Sequence, residues 1–461
     1  MSPVSRCPLI FTIPLLTMAS RFPPLSLQPL ERLHATDGLL LSADLWERAH
    51  AYHRQRQNVH YQALHQAGIV TGLGVRAVAA PATVAAQYRD RRWLRIQPGL
   101  AIDATGNPIV VDRPLEFRLA STAATEPLLV YLLIRYVDPE GLQRQNGSAL
   151  VQESFRLDEQ TSPPATGEIE LCRLLLRPGT PELANPQDVL RPGPQEVDLR
   201  FRPVAQARSR GTVRLATLPA TAAYDQRGSQ NCQELLAALP ALYPALRAAE
   251  PPLCLHLPAD QARLADCDLV YLTRQQYQEL EPVAQQCLQD FIRGQGTVLV
   301  ELPDATTKIN DLKGAIQDLA VAIADIGNAP DLAEMRTELS HELTASQDRL
   351  ETWMAELRQS FADLLAAAGA STADRGDIDC QHPLRRQPFL FAQWPIVRGK
   401  PVEFLAWGNV ILAVGDLSLA WGVDEDLHLS RETIRTAHEI GINLLHFAWQ
   451  RRELAQLLVS E

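Results

Sequence analysis

The chain has 461 residues, 46% of them hydrophobic and 21% charged, with Lys+Arg 43 against Asp+Glu 54 and a formal net charge of −11. That length exceeds one hydrophobic core and predicts about three domains. The acidic balance argues against nucleic-acid or anionic-membrane binding, since both need a basic surface.

The first stretch, Cys7–Met18, is an apolar run after Arg6. Pro8 and Pro14 interrupt it and no A-x-A cleavage site follows, so residues 1–34 read as a disordered extension, with Met1 or Met18 as the start. No other run approaches the roughly 20 apolar residues of a membrane span. Seven scattered cysteines without a CxxC pair read as reduced, buried thiols of a cytoplasmic protein.

Ser42 before Ala43–Glu47, with Asp44 in the first turn, marks a helix start. The helix is predicted through Leu64 within a segment 35–67, and it is polar. His50, His53 and His60 share its surface at spacings that bring pairs to one side. Three histidines invite a metal reading, but zinc sites usually need three or four ligands and H-E-x-x-H is absent, so a solvated or interface helix is the preferred reading.

Residues 68–208 read as a small β module. Gly68–Val78 is β-prone, Trp93–Gln97 alternates, and Asp103–Asn107 is a hairpin turn returning through Ile109–Val111. Leu128–Ile134 and Glu168–Leu176 are further strands.

From residue 209 strands and helices alternate. Strands are predicted at Val213–Leu218, Leu253–Leu257, Leu269–Thr273, Thr297–Leu302, Phe404–Trp407 and Val410–Val414. Helices are predicted at Asn231–Ala248, Glu279–Arg293 and Arg431–Gln450. This alternation predicts an α/β domain with a parallel sheet, formed by 209–304 and 373–461. Residues 305–372 interrupt it. There Ile309, Leu312, Ile316, Leu319, Ile323 and Ile326 step by threes and fours, the seam of a coiled coil. After a turn at Gly327–Asp331, a longer helix to Ala367 repeats Leu332, Met335, Leu339, Leu343 and Leu350. Its overhang carries Trp353, Leu357, Phe361 and Leu364, which pack on the parent domain or bind a partner.

The stretches DCDLVYLTRQQYQELEPVAQQCLQDFIRGQGTVLVE, HPL at His382, NVILAVGDLS and TAHEIGINLLHFA resemble a ThuA-like, glutamine-amidotransferase-like bacterial domain of unknown function. The resemblance implies a flavodoxin-like sheet, and the helical hairpin is an insertion it does not imply. GIVTGLGVRAV and LRIQPGLAIDATGNPIVV are similar to modules of phage-tail-like contractile injection systems, over about a fifth of the chain.

An amidotransferase relative needs a nucleophile elbow. No G-x-C-x-G or G-x-S-x-G occurs. Cys287 reads as a buried helical thiol. His256, Glu301 and Asp416 lie at predicted strand ends, where α/β sheets bind ligands, with Asp225, Asp424 and Asp426 nearby in the pattern. The expectation is therefore a flavodoxin-like α/β domain with an inserted antiparallel hairpin, preceded by a helix and an all-β module. The reading assigns no cofactor. The expected function is structural or adaptor, a part of a phage-tail-like contractile assembly that binds protein partners or itself. The alternatives are a hydrolase or small-ligand-binding protein using the crevice, and a regulator acting through its coiled coil.

Overall fold

In the computed structural model the described residues are 29–138, 152–179, 181–249, 251–303, 306–327, 332–422 and 429–458. Most of the expected N-terminal extension, most of the turn after Gly327, and Asp424 and Asp426 lie outside them. The chain divides into two compact units, Met1–Arg208 and Ser209–Glu461.

The first unit opens with α1 (Ala43–Leu64), whose N-cap Ser42 accepts a hydrogen bond from Leu45 N–H at 3.3 Å. No residue of α1 is buried, so its polar sequence is matched to a surface position. Among the described residues the strands that follow are β1 (Gly68–Gly72), β2 (Val75–Val78), β3 (Trp93–Ile96), β4 (Gly99–Ile102), β5 (Pro108–Val111), β6 (Leu115–Arg118), β7 (Leu128–Val137), β8 (Ser154–Gln160) and β9 (Glu168–Leu176). They form three antiparallel sheets ordered β1-β4-β5, β2-β3-β6 and β8-β7-β9. Leu94 and Ile96 of β3 meet Val130, Leu132 and Ile134 of β7 in one shared core. β1 and β4 approach so closely that a Cβ on Gly72, at φ +66°, would sit 2.1 Å from Pro98 O. Only glycine fits there.

The second unit begins with β10 (Gly211–Val213) and β11 (Leu215–Thr217), so the single strand expected at Val213–Leu218 is broken at Arg214. Helix α2 (Ala223–Leu242) starts eight residues before the expected Asn231, because Asp225 caps its first turn where the leucine pattern is silent. Leu246, expected in that helix, lies in β12 (Leu246–Ala248), which pairs in parallel with β10. Next come β13 (Leu253–Cys254), α3 (Gln261–Leu264), β14 (Leu269–Thr273), α4 (Arg274–Glu279), α5 (Pro282–Arg293) and β15 (Thr297–Leu302). Pro282 opens α5 at a position where its missing N–H costs nothing. After the inserted helices come α9 (Pro383–Arg386), the β16 (Ile396–Val397) and β17 (Lys400–Pro401) ribbon, β18 (Glu403–Trp407), β19 (Val410–Val414), a 3-10 turn at Ser418–Trp421, and α10 (Arg431–Leu458).

The six-stranded sheet has the order β13-β11-β14-β15-β19-β18. Its first five strands are parallel, and β18 returns antiparallel to β19. Every residue of β14, β15 and β19 is buried, as parallel strands covered on both faces must be. Leu235, Leu236, Ile440 and Leu444, from α2 and α10, cover one face; Leu288, Phe291, Phe361 and Leu364 cover the other. At the rim, Asn409 Nδ2 donates to Ile292 O at 2.7 Å and ties α5 to β19.

The insertion consists of α6 (Thr306–Ile326), α7 (Ala333–Ser360) and α8 (Ala362–Ala367). Between residues 314 and 345 no described side chain is buried. The half-buried positions recur at Ile316, Leu319, Ile323 and Ile326, and at Leu332, Leu339 and Leu343, the seam between two helices otherwise surrounded by water. Met335, expected in that seam, is 51% exposed. Arg336 takes the half-buried place beside it and donates to Gly327 O at 3.1 Å.

The long return helix breaks at Phe361, and its overhang does not stand open to a partner. Leu357, Phe361 and Leu364 are buried in the unit's own core, and Trp353 is partly buried against it. The Phe361 ring lies 5.3 Å from that of Tyr277. The cysteines also depart from the uniform expectation: Cys172, Cys232, Cys267 and Cys287 are buried, but Cys254 and Cys380 are exposed thiols.

Candidate functional site

In the second unit the place to look is the carboxyl edge of the parallel sheet, between β11 and β14. There the strand order reverses, since β13 lies on the far side of β11, and such reversals form ligand crevices. Here the protein's own side chains occupy it. Asp225 accepts from Thr273 Oγ1 at 2.7 Å, Thr221 Oγ1 at 2.8 Å, Ala222 N–H at 2.9 Å and Thr221 N–H at 3.0 Å. Gln276 Nε2 donates to Pro219 O at 2.9 Å and Leu218 O at 3.2 Å, while its Oε1 accepts from Thr273 N–H at 2.9 Å. Asp225, Thr273 and Gln276 are all buried. This network laces the loop after β11 to the loop after β14. Asp225→Ala is expected to cost about 2–4 kcal/mol, because four donors then lose a buried acceptor. A urea unfolding curve of the second unit's transition measures it.

On β15, the strand beside β14, the next-to-last residue is Glu301, whose carboxylate is buried. Tyr271 Oη donates to Glu301 Oε2, and Ser418 N–H donates to Glu301 Oε1 at 2.7 Å. Burial pushes the Glu301 carboxyl up to about 7, and the nearby charge of Asp416 adds to it. Burial likewise raises the Tyr271 and Tyr224 phenols, each with the Glu301 charge as a further cause. Asp416 itself lies at the surface of this group, 3.8 Å from Arg398 Nη1.

The structure thus brings Glu301 and Asp416 into one neighbourhood and leaves His256 out. Strand β13 ends at Cys254, so His256 is not on a strand; it is exposed, with its backbone N–H donating to Asp260 Oδ2 at 2.9 Å. Strands β11 and β14 separate β13 from β15. At about 4.8 Å per strand that is roughly 14 Å, beyond any hydrogen bond. A catalytic group of His256, Glu301 and Asp416 is therefore not assembled. Asp225, placed at a strand end by the pattern, instead lies in the first turn of α2. Tyr271, Tyr224 and Ser418 had no sequence signal, because an apolar strand tyrosine reads as core and a lone serine reads as loop.

The first unit holds an open, polar cleft of about 550 Å³. Arg54 and Asn58 of α1, the Asp103–Asn107 turn, Arg135 and Asp138 line much of it. Its charged groups are largely paired: Arg54 Nη1 lies 3.5 Å from Asp138 Oδ2, and Arg135 Nε lies 3.1 Å from Asp158 Oδ2. Asp103 organises its turn, accepting from Thr105 N–H at 2.9 Å and Asn107 N–H at 2.8 Å, the role expected of a turn aspartate. The turn also seats the helix. Gln62 Nε2 donates to Thr105 O, the Asn58 and Asn107 amides meet at 2.8 Å, and a Cβ on Gly106 would sit 2.5 Å from Asn58 O.

His50, His53 and His60 are exposed on α1. Each packs edge-on to an aromatic neighbour, at 5.2 Å for His50–Trp46, 5.3 Å for His53–Tyr52 and 5.9 Å for His60–Tyr61. Among the described residues no group of three or more His, Cys, Asp or Glu is placed to hold a metal.

No family model matches the chain, and no curated protein matches it. Among solved structures, one described as "Crystal structure of TssK" is similar at 11% identity and a TM-score of 0.23. That match covers 76% of this chain and 65% of the TssK chain, so the chain spans less than two thirds of that protein's length. A likeness of this size assigns neither a fold nor an activity. Among the described residues no helix is long and apolar enough to cross a membrane.

Proposed function

We propose that this chain is a structural or adaptor protein, acting in the cytoplasm as a component of a contractile, phage-tail-like injection assembly. In this reading the second unit is a flavodoxin-like frame and the α6–α7 hairpin is its docking arm. The observation that carries it is the contrast along that arm. Its base is rooted in the core through Ile309, Leu357 and Phe361, while the described residues of 314–345 bury nothing beyond their own seam. A two-helix rod that stabilises no other part of its unit is retained for what it reaches. The distal part carries Asp318, Asp325, Glu334, Glu338 and Glu342 against Arg336, so its partner presents a basic surface.

Two further features support a frame over an enzyme. The crevice between β11 and β14 is laced by Asp225 and Gln276. His256 stands apart from Glu301 and Asp416. The contractile setting rests on the sequence resemblance of the N-terminal module.

The test is assembly. The tagged chain, expressed with the genes that flank its own, is expected to purify in particles that contain sheath, tube or baseplate proteins. A monodisperse monomer absent from such particles overturns the proposal.

A further inference from the structure

Glu301 is a buried acid. Among the described residues no cationic side chain forms an ion pair with it. The groups that face it are Tyr271 of β14, Tyr224 and Cys232 of α2, and Ser418 and Asp416 after β19. Asp416 is a like charge, and its own cation is the exposed Arg398. Tyr224 Oη is buried beside Glu301 and Ser418.

The hydrogen bonds around Glu301 can be completed in two ways. With the carboxylate ionised, Tyr271 O–H and Ser418 N–H both donate to it. With Oε2 protonated, Glu301 donates to Tyr271 Oη, and Tyr271 O–H turns to Ser418 Oγ, which lies 3.1 Å away. The Ser418 N–H bond persists in both. Protonation therefore loses no hydrogen bond and removes a buried charge.

The cover over Glu301 is the Ser418–Trp421 turn. Ser418 O accepts from Asn231 Nδ2 of α2 at 2.9 Å, and Trp421 packs edge-on to Tyr271 at 6.2 Å. An ionised Glu301 regains water only when that cover lifts. We propose that Glu301 is a proton switch inside the α/β core: protonated, it keeps the Ser418–Trp421 turn closed on α2, and ionised, it loosens that turn.

The sign follows from linkage. Burial pushes the folded carboxyl up to about 7, above its ordinary 4.5. Its contribution to closure is full below about pH 4.5 and is lost as the pH rises to about 7.

Hydrogen exchange on the full chain tests this at the amides of residues 417–421, after correction for intrinsic rates. Between about pH 5 and pH 8 their protection is expected to fall on the order of a hundredfold. In Glu301→Gln, whose amide reproduces the protonated pattern, protection is expected to be independent of pH. Infrared difference spectra give the second readout. A protonated-carboxyl component that is lost only near pH 7 should be present in the unaltered chain and missing from Glu301→Gln, while the other carboxyls, Asp268 among them, lose theirs at lower pH. Tyr271→Phe, which removes one donor to the anion, should move that loss to higher pH. Equal pH dependence of exchange in Glu301→Gln and the unaltered chain overturns the proposal. So does an infrared titration of the unaltered chain with no such component, which decides the matter even if the variants fail to fold.

Discussion

Phe361→Ala is expected to destabilise the α/β unit by about 3–5 kcal/mol, the range for a large aromatic removed from a packed core. Phe361 is fully buried and stacks near Tyr277, in the cluster that also holds Leu288 of α5 and Leu364 of α8. It also marks the break between α7 and α8. The cavity would therefore open where the arm enters the core. Chemical unfolding monitored by tryptophan fluorescence measures the loss, since Trp353 and Trp407 belong to the same cluster. An effect below about 1 kcal/mol would mean that the overhang is a loosely held surface helix.

The second large effect concerns α1. Gly106→Ala is expected to release that helix from the first unit at a cost of about 2–3 kcal/mol, combining backbone strain with a backbone clash. Gly106 has φ +86°, and its Cβ would lie 2.5 Å from Asn58 O and 2.8 Å from Asn58 Cα. Those are backbone atoms, which cannot rotate away. Because α1 buries no residue, polar contacts hold it: Gln62 to Thr105 O, the Asn58–Asn107 amides, the Arg54–Asp138 pair, Arg208 N–H donating to Leu64 O at 2.9 Å and Arg208 Nη1 donating to Gln62 O at 2.7 Å. Hydrogen exchange should show residues 43–64 losing protection while β3 and β7 keep theirs. Protection retained in α1 would place its anchorage elsewhere.

The parts of this structure that were legible in the sequence are those with a strong local signal. Strands Leu269–Thr273, Thr297–Leu302 and Val410–Val414 are continuous apolar runs, and each occupies the residues its run marks. The start of α1 was readable because Ser42 caps it. The hairpin seam was readable from the spacing of Ile316, Leu319, Ile323 and Ile326.

What was not legible depends on partners distant in the chain. The first turns of α2 rest on Asp225 and on Gly228, whose missing side chain lets Tyr271 Oη approach. The fate of the overhang is decided by Tyr277 and α5, so the same leucines and phenylalanine read equally well as a docking face. His256 illustrates strand order. Its residue type and its place after an apolar run suggest a site, but two intervening strands keep it from Glu301. Gly106 carries information that turn chemistry alone does not: the residue is needed as much for the helix above it as for the turn.

The most direct measurement replaces residues 314–345 by a four-residue Gly/Ser linker joining the two helices across the base. A span of that length bridges neighbouring helices about 8–10 Å apart. The thermal transition of the second unit should stay within a few degrees of the unaltered chain, and the tagged variant should be missing from the contractile particles that, on the proposed function, the full chain joins. A variant that unfolds would make the rod part of the core, and one that still joins those particles would take the docking role away from it.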